Sequence, residues 1–162
     1  MKHANPPLWL ETVKLNLWCF WHVPMLFTAR PRISRQDSSQ LAISIALRRQ
    51  TKNHLGSMYM GALVMGADLA AGYAVIRYLQ SHGIKHSLVF KDLQAQFLKR
   101  PESHVEFLCE YQDRLQGLKN QLVSAGGRQE TKLPVVAYCP KLSSQEPVAK
   151  FTLTVSVKKF PA

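Results

Sequence analysis

From Met58 to Ile76 every side chain is apolar, aromatic or small except Asp68, the one ionised group in the run. An isolated carboxylate is costly to ionise away from water, so in such a setting it is paired, neutral or retained for chemistry. As a free group it suits proton abstraction or nucleophilic attack, because burial raises its proton affinity towards neutral pH. The bland alternative is an ion pair with Lys52, Arg77 or a sheet arginine, or satisfaction by backbone donors. The residues alone leave both readings open. On a helix, Gly61, Val64, Met65, Ala71, Gly72 and Val75 share the side of Asp68. The carboxylate would then project between Gly61 and Gly72, with room beside it for something other than a side chain.

That run reads as a helix beginning at Ser57 as N-cap, continuing to about Gln80 and closed by Gly83. Asn53-His54-Leu55-Gly56 is the turn before it. Interior glycine costs about 1 kcal/mol relative to alanine, so Gly61, Gly66 and Gly72 imply close approach by another backbone or a ligand. A helix apolar on all sides is enclosed. It is about long enough to span a bilayer, but a central aspartate would cost about 3 kcal/mol on insertion, so a buried central helix is expected. Leu8–Trp21 reads as an N-terminal helix broken by Pro24, packed as a cover on its own domain rather than lying on lipid. "FTARPRISRQ" and "QLAISIALRRQ" read as paired strands turning at Asp37–Ser39; in the second, Leu41, Ile43, Ile45 and Leu47 alternate with Ala42, Ser44, Ala46 and Arg48. After the helix come "HSLVFKDLQAQF", "HVEFLCEYQ", a helix with Leu115, Leu118, Leu122 and Val123 on its apolar side, and two closing strands. The fold class is α+β: a long central helix wrapped by a curved antiparallel sheet of about six strands. One domain accounts for residues 1–162, with 1–23 as the N-terminal helix and 24–160 as the core.

The chain has 162 residues, 46% of them hydrophobic, and a net charge of +11. Such a charge attracts an anionic partner: nucleic acid, a membrane surface, a phosphorylated cofactor or an acidic carrier protein. The basic residues punctuate apolar segments instead of forming a basic helix or an aromatic-interleaved strand, so nucleic acid is not expected. Membrane contact is not expected either. Three cysteines and six histidines lie scattered, without CxxC pairs or zinc spacing. No metal site follows, and the odd cysteine count fits a reducing compartment. With no secretory signal visible, a cytoplasmic location is expected.

The stretch "NHLGSMYMGALVMGAD", with the order of elements around it, resembles the hotdog-fold thioesterase superfamily, most closely its PaaI-like branch and the related DUF4442 family. In the PaaI-like enzymes an Asn-x-x-Gly precedes His-Gly-Gly and then a helical Asp or Glu. Asn53, Gly56, Gly61 and Asp68 match that frame, and Asp68 follows Asn53 by fifteen residues. The resemblance covers roughly residues 24–160. It implies a hydrolase that splits an acyl thioester of coenzyme A or acyl carrier protein into a free acid and a thiol. Coenzyme A is then part of the substrate, and no separate cofactor is implied.

By that resemblance Asp68 is the general base or nucleophile, and Asn53 holds the attacking water or the thioester oxygen. A backbone N–H at Met60 or Gly61 polarises the carbonyl, as the unsatisfied N–H groups at a helix start can do. Gly56, Tyr59, Met65 and Gly72 fall on the substrate side; Met58, Val64 and Leu69 are further candidates for an acyl tunnel. Arg48, Arg49, Lys99 and Arg100 are candidates for the phosphates of coenzyme A or the acidic carrier. The family forms such sites across a homodimer, with Asn53 and Asp68 from different subunits; a tetramer is compatible. The chain departs from the family at Tyr59-Met60-Gly61, where His-Gly-Gly is usual. Met60 narrows the slot while keeping its N–H, His54 belongs to the turn, and Phe90 stands where some relatives have Ser or Thr. A non-hydrolytic acyl-binding module and a peripheral lipid-binding protein are the alternatives.

Overall fold

A computed structural model describes residues 6–160; residues 1–5 of the N-terminal segment, with Lys2 and His3, and residues 161–162 lie outside the described range. Helix α1 (Leu8–His22) turns Leu15 and Cys19 inward. Pro24 opens a second helix, α2 (Pro24–Thr28), since a fixed φ and a missing N–H suit the first helical position. The strand expected from Phe27 therefore starts later, as β1 (Arg32–Gln36), and pairs with β2 (Gln40–Ile45). Asp37 closes the hairpin: its Oδ1 accepts the N–H groups of Ser39 at 2.7 Å and Gln40 at 3.0 Å. Strand β2 ends before the expected alternation does. The Thr51 hydroxyl donates to the Ala46 carbonyl at 2.8 Å and accepts from the Arg48 N–H at 2.9 Å, which folds the chain into a turn.

The central helix α3 spans Met60–Ser81. Ser57 is not its N-cap; Tyr59 holds that position without a capping side-chain bond. Three backbone hydrogen bonds hold the preceding residues extended: the Asn53 N–H to Ser57 and the Tyr59 N–H to Thr51, each at 2.8 Å, bridge Lys52 and Met58, and the Met58 N–H reaches the Pro101 carbonyl at 2.9 Å. Helical φ and ψ are unavailable until Met60. At the far end Gly83, at φ +68°, lets the Gly83 and Ile84 N–H groups cap the Gln80 and Leu79 carbonyls. The glycines of α3 admit aromatic rings. A Cβ on Gly66 would lie 2.3 Å from the Phe107 ring, and one on Gly72 would lie 3.2 Å from Phe90.

Beyond α3 run β3 (His86–Phe97), β4 (Val105–Glu110), α4 (Gln112–Ser124), β5 (Arg128–Cys139) and β6 (Ser143–Lys159). The antiparallel sheet has the order β1-β2-β4-β5-β6-β3. It curves round α3, which contacts β2 and β4 through to β3: the hotdog arrangement. Alternate residues of β4 and β6, among them Phe107, Leu153 and Val155, enter the core, each large side chain contributing about 1.5–3 kcal/mol by leaving water. Leu115, Leu118 and Leu122 of α4 do the same, whereas Val123 faces solvent. Helix α3 is long and apolar enough to cross a bilayer by composition, but most of that span is buried within the protein. Among the described residues, strand β3 ends the sheet with one edge unpaired.

Candidate active site

Asp68 stands on α3 partly buried, and among the described residues its carboxylate has neither an ion pair nor a hydrogen bond. Arg77, one of its candidate partners, is bound to the buried carboxylate of Glu11. Burial pushes Asp68 from the ordinary 3.8 up to about 6, so it is mostly ionised at neutral pH yet holds a proton far better than a surface aspartate. Beside it opens a cavity of about 880 Å³. One wall is the stripe Asp68, Gly72, Ile76 and Gln80 of α3, another is Leu88 and Phe90 of β3, and a third is Trp18, Val23 and Leu26. At 1.5 Å per residue the stripe is about 18 Å long. The cavity is therefore an apolar slot with one acidic group towards one end and Lys85 and His86 in its lining near the other. Cys19 is no rival nucleophile: burial, then the charge of Asp68, pushes its thiol up to about 11, so it stays protonated.

The other predicted residues gather elsewhere, around the start of α3. Asn53 turns its amide into its own loop. Its Oδ1 accepts from the N–H groups of Leu55 at 2.9 Å and Ser57 at 3.1 Å, and its Nδ2 donates to the Ser57 hydroxyl at 3.0 Å. Gly56 completes that loop at φ +83°. The Tyr59 ring lies over Gly61, where a Cβ would come within 2.5 Å of it. The Tyr59 ring thus occupies the space over Gly61, and the cavity beside Asp68 lies on the Gly72 side. Tyr59 and Met60 are exposed, and Met65 packs against the core rim. Arg48 and Arg49 precede the Asn53 loop, while Lys99 and Arg100 adjoin Pro101, which is bonded to Met58. These four arginines and lysines surround the helix start and do not line the cavity. Lys99 pairs with Glu146, and Arg100 lies 3.5 Å from Glu102. Of the tunnel candidates, Leu69 lines the cavity and Met58 is core.

Within one chain the two groups are thus separate, about 10 Å apart along α3 from Gly61 to Asp68. Sequence reasoning missed most of the cavity: Trp18, Val23, Leu26, Ile76, Gln80, and the basic pair Lys85 and His86. Part of it was accessible, since Asp68, Gly72, Ile76 and Gln80 recur at four-residue steps. The walls from α1, α2 and β3 carry no local signal.

The family model described as Domain of unknown function (DUF4442) matches residues 14–157. A comparison with proteins of curated function gives no match. Among solved structures, a Chlorobaculum tepidum protein of unknown function superposes with a TM-score of 0.81 at 16% identity, covering 98% of this chain and 100% of that one. A Haemophilus influenzae thioesterase gives 0.70 at 16% identity, with 96% and 93% covered. A mutant thioesterase from Pseudomonas aeruginosa gives 0.69 at 17%, with 98% of each chain covered. At such identities the likeness is one of fold.

Proposed function

The chain belongs to the DUF4442 family, and from that premise we propose that it is a thioester hydrolase acting on acyl-coenzyme A or acyl carrier protein. The observation that carries this is the unpaired carboxylate of Asp68 at the wall of an apolar cavity of about 880 Å³. The acyl chain lies along the Gly72–Ile76 stripe with its thioester carbonyl beside Asp68. Asp68 takes a proton from water as the water oxygen bonds to the carbonyl carbon. The tetrahedral oxyanion is held by N–H groups at the start of α3, at Met60 and Gly61, whose positive end suits it. Its collapse breaks the carbon–sulfur bond, and the departing thiolate receives the proton from Asp68.

Because the start of α3 is distant from Asp68 in one chain, the reading requires a homodimer in which each copy supplies the half the other lacks. Two features support this. The free edge of β3 is twelve residues long and exposes Val89, Phe90, Leu93 and Phe97, an edge that calls for pairing or protection; Tyr59 and Met60 are exposed as well. Arg48, Arg49, Lys99 and Arg100 then surround the mouth where coenzyme A phosphates or an acidic carrier would arrive. Three free cysteines fit work in the reducing cytoplasm.

The test is thiol release from a panel of acyl-coenzyme A chain lengths, alongside light scattering for mass. Turnover by a dimer, lowered about a hundredfold or more by Asp68→Asn, is expected. One observation favours a second reading: the Asn53 amide is committed to its own loop, as it would be in an acyl-binding module without catalysis. Acyl-coenzyme A binding with no thiol released at any chain length selects that module.

A further inference from the structure

Helix α1 buries Leu15 and Cys19 yet carries a second apolar face on its outside. Three of its polar side chains are engaged with the protein: Glu11, 1% exposed, pairs with Lys14 and Arg77. Thr12 Oγ1 accepts the Ile33 N–H at 3.0 Å, and Asn16 Nδ2 donates to the Thr12 and Pro31 carbonyls, each at 2.8 Å. The opposite face presents Trp9, Val13, Leu17, Phe20 and Trp21, which fall within about 120° of arc at 100° per residue. Met25 of α2 continues it. Trp9 is 68% exposed, Trp21 76% and Met25 66%. A helix that only covers its own domain keeps its outer face polar, and a contiguous exposed apolar face marks an interaction surface.

The charge around this face selects the occupant. Glu11, buried and paired, is the one acidic residue among the first 36; Lys14, Arg30, Arg32 and Arg35 lie in the same stretch. Lys85 and His86 line the cavity together with Val23 and Leu26. Across the β3–β6 ladder, Ser87 and His86 stand opposite the exposed Lys158 and Lys159. A second copy of the face would set these cations against their like, whereas anionic headgroups neutralise them. Tryptophan, apolar with one polar N–H, is the side chain suited to the headgroup boundary.

We propose that the outer face of α1 and α2 docks on an anionic bilayer, with Trp9 and Trp21 at the headgroup boundary. The same helices line the cavity through Trp18 and Leu26, with Val23 between them, so docking brings the slot alongside the acyl-chain layer. The proposal does not depend on the hydrolase reading, and its test reads binding alone.

The full chain is sedimented with phosphatidylcholine vesicles, with and without phosphatidylglycerol. Binding to the anionic vesicles, weakened as salt screens the charge, is expected. The double variant Trp9→Ser/Trp21→Ser should lower partitioning by more than about tenfold. The variant Lys158→Glu/Lys159→Glu should lower it to a similar degree through charge. Both substitute exposed side chains, and unchanged circular dichroism melting of each verifies the fold. A chain that stays in the supernatant at low salt, or tryptophan variants that bind as the wild type does, overturns the proposal. So does light scattering in which the tryptophan variants lose mass while no vesicles are bound; the face is then an interface between copies.

Discussion

Replacing Asp68 with Asn makes the protein more stable at neutral pH while removing its proposed base. An ordinary aspartic acid titrates near 3.8, and burial pushes Asp68 to about 6. At roughly 1.4 kcal/mol per pH unit, that gap is worth about 3 kcal/mol. The folded chain holds the Asp68 proton more tightly than the unfolded chain does. The stability linked to that proton is therefore complete below about 3.8 and is lost as pH rises through about 6. Above that the fold carries an ionised carboxylate at its own expense, and an uncharged amide of the same shape relieves it. The opening of the cavity to water trims the gain towards 2 kcal/mol, on the order of 4–8 °C in melting temperature for a chain of this size. Urea unfolding followed by circular dichroism at about pH 8 and about pH 4 separates the cases. The variant gains stability at the higher pH and loses most of that advantage at the lower. A variant that is less stable than wild type at both would mean that the carboxylate has a cationic or hydrogen-bonding partner, and the reasoning from an unpaired group would fail.

The same carboxylate sets a pH profile: kcat/KM for thioester hydrolysis rises with pH through about 6 and then levels, since the base must be ionised. Stopped-assay rates between acid and neutral pH check it. Gly66→Ala drives a Cβ to 2.3 Å from the buried Phe107 ring and costs about 1–3 kcal/mol by overpacking. Gly117→Ala, in α4 with open space around it, gains about 0.5–1 kcal/mol from helix propensity; thermal melts of the two should move in opposite directions. Glu11→Gln leaves Arg77 without its anion and destabilises by about 2 kcal/mol, read as a lower urea midpoint and faster proteolysis of α1.

Periodic elements were legible in the sequence because their signal is local. The Leu41–Ile43–Ile45 alternation, the Asp37 turn and the enclosed α3 each follow from residues a few positions apart, and they imply the wrapped-helix fold. Asp68 was legible for the same reason, as a charge in an apolar run. Competition between neighbours was not. Ser57 has the type of an N-cap, but Asn53 captures it and a bridge to Lys52 holds the chain extended. Pro24 is as good a helix start as a helix stop, and only the packing of Leu26 decides. The helical wheel put Gly61 and Gly72 equally beside Asp68. The Tyr59 ring closes one side, and the distant α1, α2 and β3 build the walls of the other, so the direction of the cavity is a tertiary fact.

Two carboxylates, Glu11 packed against α3 and Asp68 on it, lie in an apolar setting and meet opposite fates. Arg77 is the cation on α3 within its last turns, nine residues from Asp68 and so half a turn out of phase and about 13 Å away along the axis. Glu11 of α1 takes it, with Lys14 on its other oxygen, and a buried pair held this way leaves no cation to spare. What α1 offers Asp68 is Cys19, a thiol kept neutral by burial and by that same aspartate. A neutral neighbour lends no stabilisation to the ionised form, so desolvation alone governs Asp68 and raises its proton affinity. The covering helix thus does more than exclude water. It gives Arg77, which is turned away from Asp68, a partner in Glu11, and it brings Asp68 only a neutral thiol, so burial leaves Asp68 basic enough to take a proton at neutral pH.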